Sequence, residues 1–580
     1  MKKHLLMVAF LAAGMVWAEP FVWPESWSVS SPTEAKTGGT LRDSNLSDFK
    51  TINPFLSAES PSIPGILTAN VGLLRRDPYT WKFMPYMAES YQISEDGLTY
   101  TFKLRPGMKW SDGEPIVAQD WVTTFKIHTD QEVGSNSYDS FFIEDKPIII
   151  SAPDPGTVVF QFPVADADAL SLATLSPWPD HIFGPVYAER GADGIKAMWG
   201  TSEDPGKVVN FGAFVFDSYR PGERVVFKKN PYFGEWNQDQ AGNPLPYLDT
   251  YEVRIVGDQN ADLAAFLSGD IDTLATTNPD HVAEIQAAIQ SGRLDATLKT
   301  NVSPVASSTH LIFDWNKKSE PEKERLFRSV EFRQAMSHLV NRAAIVEVVY
   351  GGFGTPTYTA VYPVLTEWLN PDVAKYDYDP KRASELLAEL GYGQKDSEGW
   401  LVNSEGKRLE FTLSTNSGNT IREQTARIFA DEAAKVGVKV NFTPIDFNVL
   451  VGQLNSTGED RPFDVILLGL TGGSLDWPFG DNVVPCAGNL HSFNGSGECL
   501  DPKEEEMEKL FYQGRQTLDL EERKKIGMQL QELEAELLGF IYIAGPNQHE
   551  AWSQKLGGEH PEEILNSLFG ARDLELAFIK

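Results

Sequence analysis

The sequence predicts an α/β protein of two or three lobes, on three observations. Its 580 residues exceed the roughly 250 to 300 at which a single hydrophobic core stops growing. Residues 410–414, 420–436 and 438–442 read strand, helix, strand, with Gly437 stopping the helix, and such a unit demands a parallel pair. Residues 94–121, SEDGLTYTFKLRPGMKWSDGEPIVAQDW, read as a compact β segment that turns helical at its end.

That third stretch is the most explicit. Asp96-Gly97 supplies a tight turn, because Gly tolerates positive φ and Asp hydrogen-bonds its own backbone. Tyr100, Phe102 and Leu104 then alternate with Thr99, Thr101 and Lys103, the period-2 pattern of a half-buried strand. Pro106-Gly107 fits the two central positions of a type II turn, and Asp112-Gly113 repeats the device. None of these residues is chemically reactive. As a motif, however, residues 96–121 resemble the signature of the extracellular solute-binding proteins of family 5, the oligopeptide and dipeptide receptors of ABC importers.

The rest of the chain bears on that resemblance segment by segment. Residues 1–18 place Lys2, Lys3 and His4 before an apolar run and Val16-Trp17-Ala18, the pattern of a cleaved secretory signal peptide, and the run is too short for a permanent membrane anchor. No Cys lies near the cleavage point to carry a lipid, so a free periplasmic protein is expected. Gly38-Gly39-Thr40-Leu41 and Asn53-Pro54-Phe55 resemble the family's opening strand and turn, and Glu59 and Ser60 follow where relatives contact the ligand backbone. Residues 210–233 resemble a family hairpin that Asn230-Pro231 ends, since Pro holds its predecessor extended. Asp270 and Asp272 lack the spacing of a calcium loop and read as capping residues.

LIFDWN, residues 311–316, opens what the resemblance makes a third domain, with Asp314 at a pocket-lining carboxylate position of relatives. Helical spacing of Phe332, Ala335, Met336, Leu339, Val340 and Val346 predicts one helix over 332–349, stopped by Gly351-Gly352. This stretch resembles a family helix in which Asn341 stands where Asp is usual. FDVILLGL, residues 463–470, is a buried strand, and strands of an open α/β sheet end at the ligand crevice. The ligand is therefore expected near residues 469–477, beside Gly469 and Thr471. Residues 510–538 read as a helix with a charged exposed face.

Composition excludes some functions. The formal charge of −32 becomes −34 once residues 1–18 are removed, since they carry two Lys and no acid. Nucleic acid, which needs a basic footprint, is thereby argued against. Motifs for serine hydrolases, zinc proteases, P-loop enzymes and dinucleotide enzymes are absent, so no cofactor, metal or enzyme activity is expected. A secreted glycosidase with two carboxylates stays open as a distant alternative. Cys486 and Cys499 flank a Gly- and Asn-rich loop in an exported chain, where a disulfide would stabilise by roughly 3 kcal/mol. One His, His491, is too little for a zinc site there.

The resemblance implies the class II binding-protein fold: two lobes that close by hinge motion, with an extra small domain, three domains in all. The expected division is 37–70, 209–302 and 546–580 for the first domain, 71–208 for the second and 303–545 for the third. A monomer is expected, whose closed form docks on a membrane permease driven by a separate ATPase. Its ligand is a peptide, or else an oligosaccharide, which the 14 Trp residues would suit. Asp476 has two readings, an anchor for a peptide ammonium through a charge-assisted bond or a solvated or capping acid. Trp477 either stacks on the ligand or packs, and Phe447, Asn416 and Asn419 complete the expected contacts.

Overall fold

The computed structural model describes residues 35–580 except 58–61, 69–70, 77–81, 145, 240, 305–306, 472–475 and 559–573. The signal segment, Glu59 and Ser60 thus lie outside the described residues. Among those described, no helix is long and apolar enough to cross a membrane.

Three sheets carry the architecture. Thr40–Asn45 lies parallel to Thr250–Ile255, which pairs antiparallel with Arg224–Lys229 and that in turn with Phe214–Arg220. A second, antiparallel sheet runs Ala88–Ile93, Thr99–Leu104, Thr157–Gln161, Ile149–Asp154. Its strand Thr99–Leu104 buries Tyr100, Phe102 and Leu104 and exposes Lys103, as the alternation requires. Gly107 sits at φ +80°, the left-handed conformation that the second central position of a type II turn demands.

The third sheet orders Thr273–Thr276, Phe540–Ser553, Thr309–Phe313, Val465–Leu468, Glu410–Asn416 and Lys439–Ile445. The expected strand, helix, strand unit is present: Glu410–Asn416 and Lys439–Ile445 are parallel, joined by helix Thr420–Val436 that ends on Gly437 at φ +102°.

Two helices break where one was expected. The 332–349 stretch is split into Val330–Leu339 and Arg342–Val349, because Val340 is extended and the Asn341 side chain accepts from the Ala344 amide to start a new helix. Likewise 510–538 is divided between Pro502–Gln516 and Leu520–Leu537, where Asp519 accepts from the Glu522 amide. Apolar spacing continues across both breaks, so a capping side chain is the only local sign of them.

Buried side chains form two large clusters and one small one. The first gathers residues between Leu41 and Val253 together with Trp552, Leu556, Leu576, Ala577 and Phe578. The second gathers residues between Leu311 and Ala544, and Leu263, Phe266, Ile285 and neighbours form the third. We refer to the bodies around the first and second clusters as the first and second lobes. Cys486 and Cys499 are bridged in a loop of the second lobe.

Candidate functional site

A cavity of about 730 Å³ lies between the two lobes. On the second lobe its wall is made at the carboxyl ends of the parallel strands, where the backbone must leave the sheet and a crevice results. Leu468 ends strand Val465–Leu468 and Gly469, Leu470 and Thr471 follow it, and Phe447 and Val451 come from helix Phe447–Leu454 that follows Lys439–Ile445. The Ser308 carbonyl would lie 2.0 Å from a Cβ at position 469, so only glycine lets these two backbones meet. Ser308 and Leu470 pair through their main chains, and Thr471 bridges to Ser307.

One cation stands in this wall. Arg422, at the third position of helix Thr420–Val436, lines the cavity and donates from Nη1 to Asn416 Oδ1 at 2.8 Å. Among the described residues no carboxylate pairs with it. Burial lowers its pKa, against which the nearby Tyr350 hydroxyl works. A cation in the first turn of a helix also opposes the helix dipole. Arg422 is therefore held in a place that neither its own helix nor a counter-ion favours.

The first-lobe wall differs in chemistry. Ser57, Ser62, Thr124, Asn136, Ser137 and Ser176 give it neutral hydrogen-bonding groups, with Phe141 and Trp178 between them. His128, on helix Gln119–His128, joins its Nδ1 to Ser135 Oγ at 2.6 Å and stacks on Phe141. Burial drops its pKa to about 3, so the imidazole is neutral. The described lining thus carries a cation and no acid.

Of the residues expected from sequence, Gly469, Thr471 and Phe447 line this cavity, and Asn416 orients Arg422 behind its surface. Asn419 caps the helix by accepting from the Arg422 amide. Asp314 lies elsewhere. Its strand, Thr309–Phe313, runs antiparallel to Val465–Leu468, so the two carboxyl ends are at opposite edges of the sheet. There Asp314 is fully buried and accepts from Arg461 Nη1 at 3.2 Å; burial pushes its pKa up to about 6 although Arg461 pulls it down.

Trp477 is also covered, with 2 % of its surface exposed. Its ring meets Trp368, Phe479 and Phe511 and lies over Gly514, whose missing side chain makes the room. Asp476 is not in the cavity lining and accepts from Arg76 Nη2 of the first lobe at 3.0 Å. The residues missed by sequence reasoning are Arg422 and His128. For Arg422 the signal was available, a first-turn arginine directly after a strand of the parallel unit.

A second ion pair joins the lobes. Arg515, in helix Pro502–Gln516, donates from Nε and Nη2 to the Asp166 carboxylate at 3.0 to 3.2 Å, and its carbonyl accepts from the Ala167 amide at 2.7 Å. Burial alone would lower the Arg515 pKa, but the Asp166 charge holds it above the ordinary arginine value. Both groups of metal-type side chains found among the described residues include Cys486, whose sulfur is in the disulfide.

Residues 82–483 match the family model for bacterial extracellular solute-binding proteins, family 5. The chain belongs to this family. A probable ABC transporter-binding protein of Deinococcus radiodurans is 44 % identical over 595 residues, covering 100 % of both chains. Among solved structures, the oligopeptide-binding protein AppA from Bacillus subtilis, in complex with a nonapeptide, superposes with a TM-score of 0.79 at 22 % identity, over 94 % of this chain and 100 % of its own. The periplasmic binding protein MelB from Agrobacterium fabrum C58, in complex with stachyose, gives the same TM-score and identity over 94 % of this chain and 85 % of its own. The family 5 fold, with its lobes and the cleft between them, is therefore that of this protein.

Proposed function

We propose that this family 5 protein is the receptor of an ABC importer and holds a short peptide between its lobes, with the peptide carboxylate on Arg422. The single observation that carries the reading is Arg422 itself, a cavity-lining guanidinium whose one hydrogen-bond partner among the described residues is the neutral Asn416 amide. A carboxylate offers it a paired, charge-assisted interaction of a kind that no described residue supplies. The cavity volume of about 730 Å³ falls within the roughly 300 to 1,000 Å³ of small-ligand sites. Hydroxyl and amide groups on the first-lobe wall suit the peptide main chain, and Phe447, Val451 and Leu470 suit apolar side chains. On this reading residues 1–18 are removed on export and the closed form delivers its cargo to a permease driven by a separate ATPase.

The second reading is an oligosaccharide, favoured by the same neutral hydroxyl- and amide-bearing wall beside Trp178 and by the likeness to the stachyose complex of MelB. Calorimetric titration separates the two. Di- to pentapeptides and their C-terminal amides are titrated into the wild type and into Arg422→Met, alongside neutral tri- and tetrasaccharides. A carboxylate-dependent site loses roughly 10-fold or more in affinity on amidation and in Arg422→Met, since hydrogen bonds to charged groups contribute about 1.5 to 3 kcal/mol. Equal binding of acids and amides, or binding of saccharides alone, overturns the peptide reading.

A further inference from the structure

Residues 480–500 form neither strand nor helix, yet they supply part of the cavity wall and reach the other lobe. Asn482 and Leu490 line the cavity. They are fastened to each other: the Leu490 amide donates to the Asn482 carbonyl at 2.7 Å, and a Cβ at position 488 would lie 2.5 Å from that same oxygen. Beside them Asn489 crosses to the first lobe. Its Nδ2 donates to Oδ1 of Asn136, itself a lining residue, at 3.0 Å, and its amide donates to Asp139 Oδ2 at 3.4 Å. With no ladder or helix to hold this loop, side chains must do so. Cys486, midway between Asn482 and Leu490, is bridged to Cys499, just before the Asp501 cap of helix Pro502–Gln516. From that helix Glu508 accepts from the Cys486 amide at 3.2 Å and Glu504 meets His491 Nε2 at 2.8 Å. The far end of the same helix carries Arg515, which crosses the seam to Asp166. The bridge thus ties the loop to the element that makes the other cross-lobe contact.

We propose that Cys486 and Cys499 are positioning residues for ligand binding: their bridge presets the loop so that Asn482 and Leu490 complete the cavity and Asn489 engages the first lobe when a ligand is held. This inference rests on the reading of the interlobe cavity as the peptide site. A loop ordered before the ligand arrives loses less conformational freedom on binding, which is how a disulfide raises affinity without touching the ligand. Without the bridge the loop has to be ordered at each encounter, and Asn489 is spread over many conformations that do not reach Asn136. The effect falls on the lifetime of the complex, since variants of one binding site differ chiefly in dissociation rate. Retention of cargo therefore depends on the bridged form.

The probe is a peptide of two to five residues that binds the wild type, and dissociation constants and rates are measured for the wild type and three variants. Asn489→Ala, at an exposed position, weakens binding roughly 3-fold. Cys486→Ser with Cys499→Ser weakens it roughly 10-fold, mostly through faster dissociation. The triple variant stays near that same loss, because Asn489 is already misplaced once the bridge is gone. A bridge that only stabilised the fold would act independently of Asn489, and the factors would multiply to roughly 30-fold. Binding within about 2-fold of the wild type in the bridge-free protein, or a loss of roughly 30-fold in the triple variant, overturns the proposal and leaves the peptide reading standing. If the bridge-free protein does not fold, Asn489→Ala decides alone, and an unchanged dissociation rate there overturns the proposal. Absence of peptide binding by the wild type overturns both.

Discussion

Asp166→Asn should open the cleft. In this structure Arg515 is 7 % exposed and Asp166 1 % exposed, and three contacts of 3.0 to 3.2 Å join them across the seam. The substitution keeps the shape but leaves a desolvated guanidinium without its counter-charge whenever the lobes meet. Truncating one partner of a buried, hydrogen-bonded charge pair at an interface costs about 2 to 5 kcal/mol. Once the lobes part, water solvates Arg515 and the penalty disappears, so the lower figure applies: about 2 kcal/mol, or roughly 30-fold in the ratio of closed to open protein. Small-angle scattering of the ligand-free variant should show a larger radius of gyration, and peptide affinity should fall by up to the same factor as the closed form becomes scarce. Asp166→Asn combined with Arg515→Met removes the unpaired charge and should recover part of the loss. Unchanged dimensions and affinity within about 2-fold in Asp166→Asn would refute the reasoning.

Two further outcomes follow from buried groups. Trp477→Ala should lower stability by about 3 to 5 kcal/mol, measured by denaturant unfolding, while the folded fraction retains peptide affinity, because the ring fills space over Gly514 and does not reach the cavity. Glu534 accepts from the Ala360 amide and the Tyr542 hydroxyl, and burial pushes its pKa up to about 7. A carboxyl with a raised folded pKa contributes stability that is complete below its unfolded value near 4.5 and is lost as pH rises through about 7. Glu534→Gln does not titrate; its Oε1 can still accept from the Ala360 amide while Nε2 donates to the Tyr542 hydroxyl oxygen, so its melting temperature should gain on the wild type as pH is raised across this window. Parallel melting curves of the two proteins would contradict the assignment.

Much of the fold was legible because its signals are local. The alternation over 99–104 and the glycine stop at 437 each depend on neighbours in sequence, and both stand in the structure. Helix breaks at Asn341 and Asp519 were not legible, since the apolar spacing runs through them and only a side-chain cap marks the interruption. The site divides in the same way. Gly469 and Thr471 were found by the rule that buried strands end at the crevice. Asp314 was misplaced because the direction of its strand relative to its neighbour is a property of long-range pairing. Trp477 was ambiguous for a similar reason: its partners Trp368 and Gly514 come from segments far away in the chain. Asp476 shows the limit most directly, as the arginine that answers its charge is 400 residues distant.

Strand Phe540–Ser553 runs through all three buried clusters, with Ile541 in the second, Ala551 in the third and Trp552 in the first. It is hydrogen-bonded on the way to Thr309–Phe313, Gly354–Pro356, Ala296–Pro304 and Thr273–Thr276. At about 3.3 Å per residue its 14 residues extend for roughly 46 Å. Rotation of one lobe against the other therefore cannot be concentrated in a loose pin joint at this crossing; it must be spread as twist along a laddered ribbon. Such a ribbon is a flexure. It bends more readily about one axis than it shears, so a rotation of the lobes about it would keep the two walls of the cavity in one register.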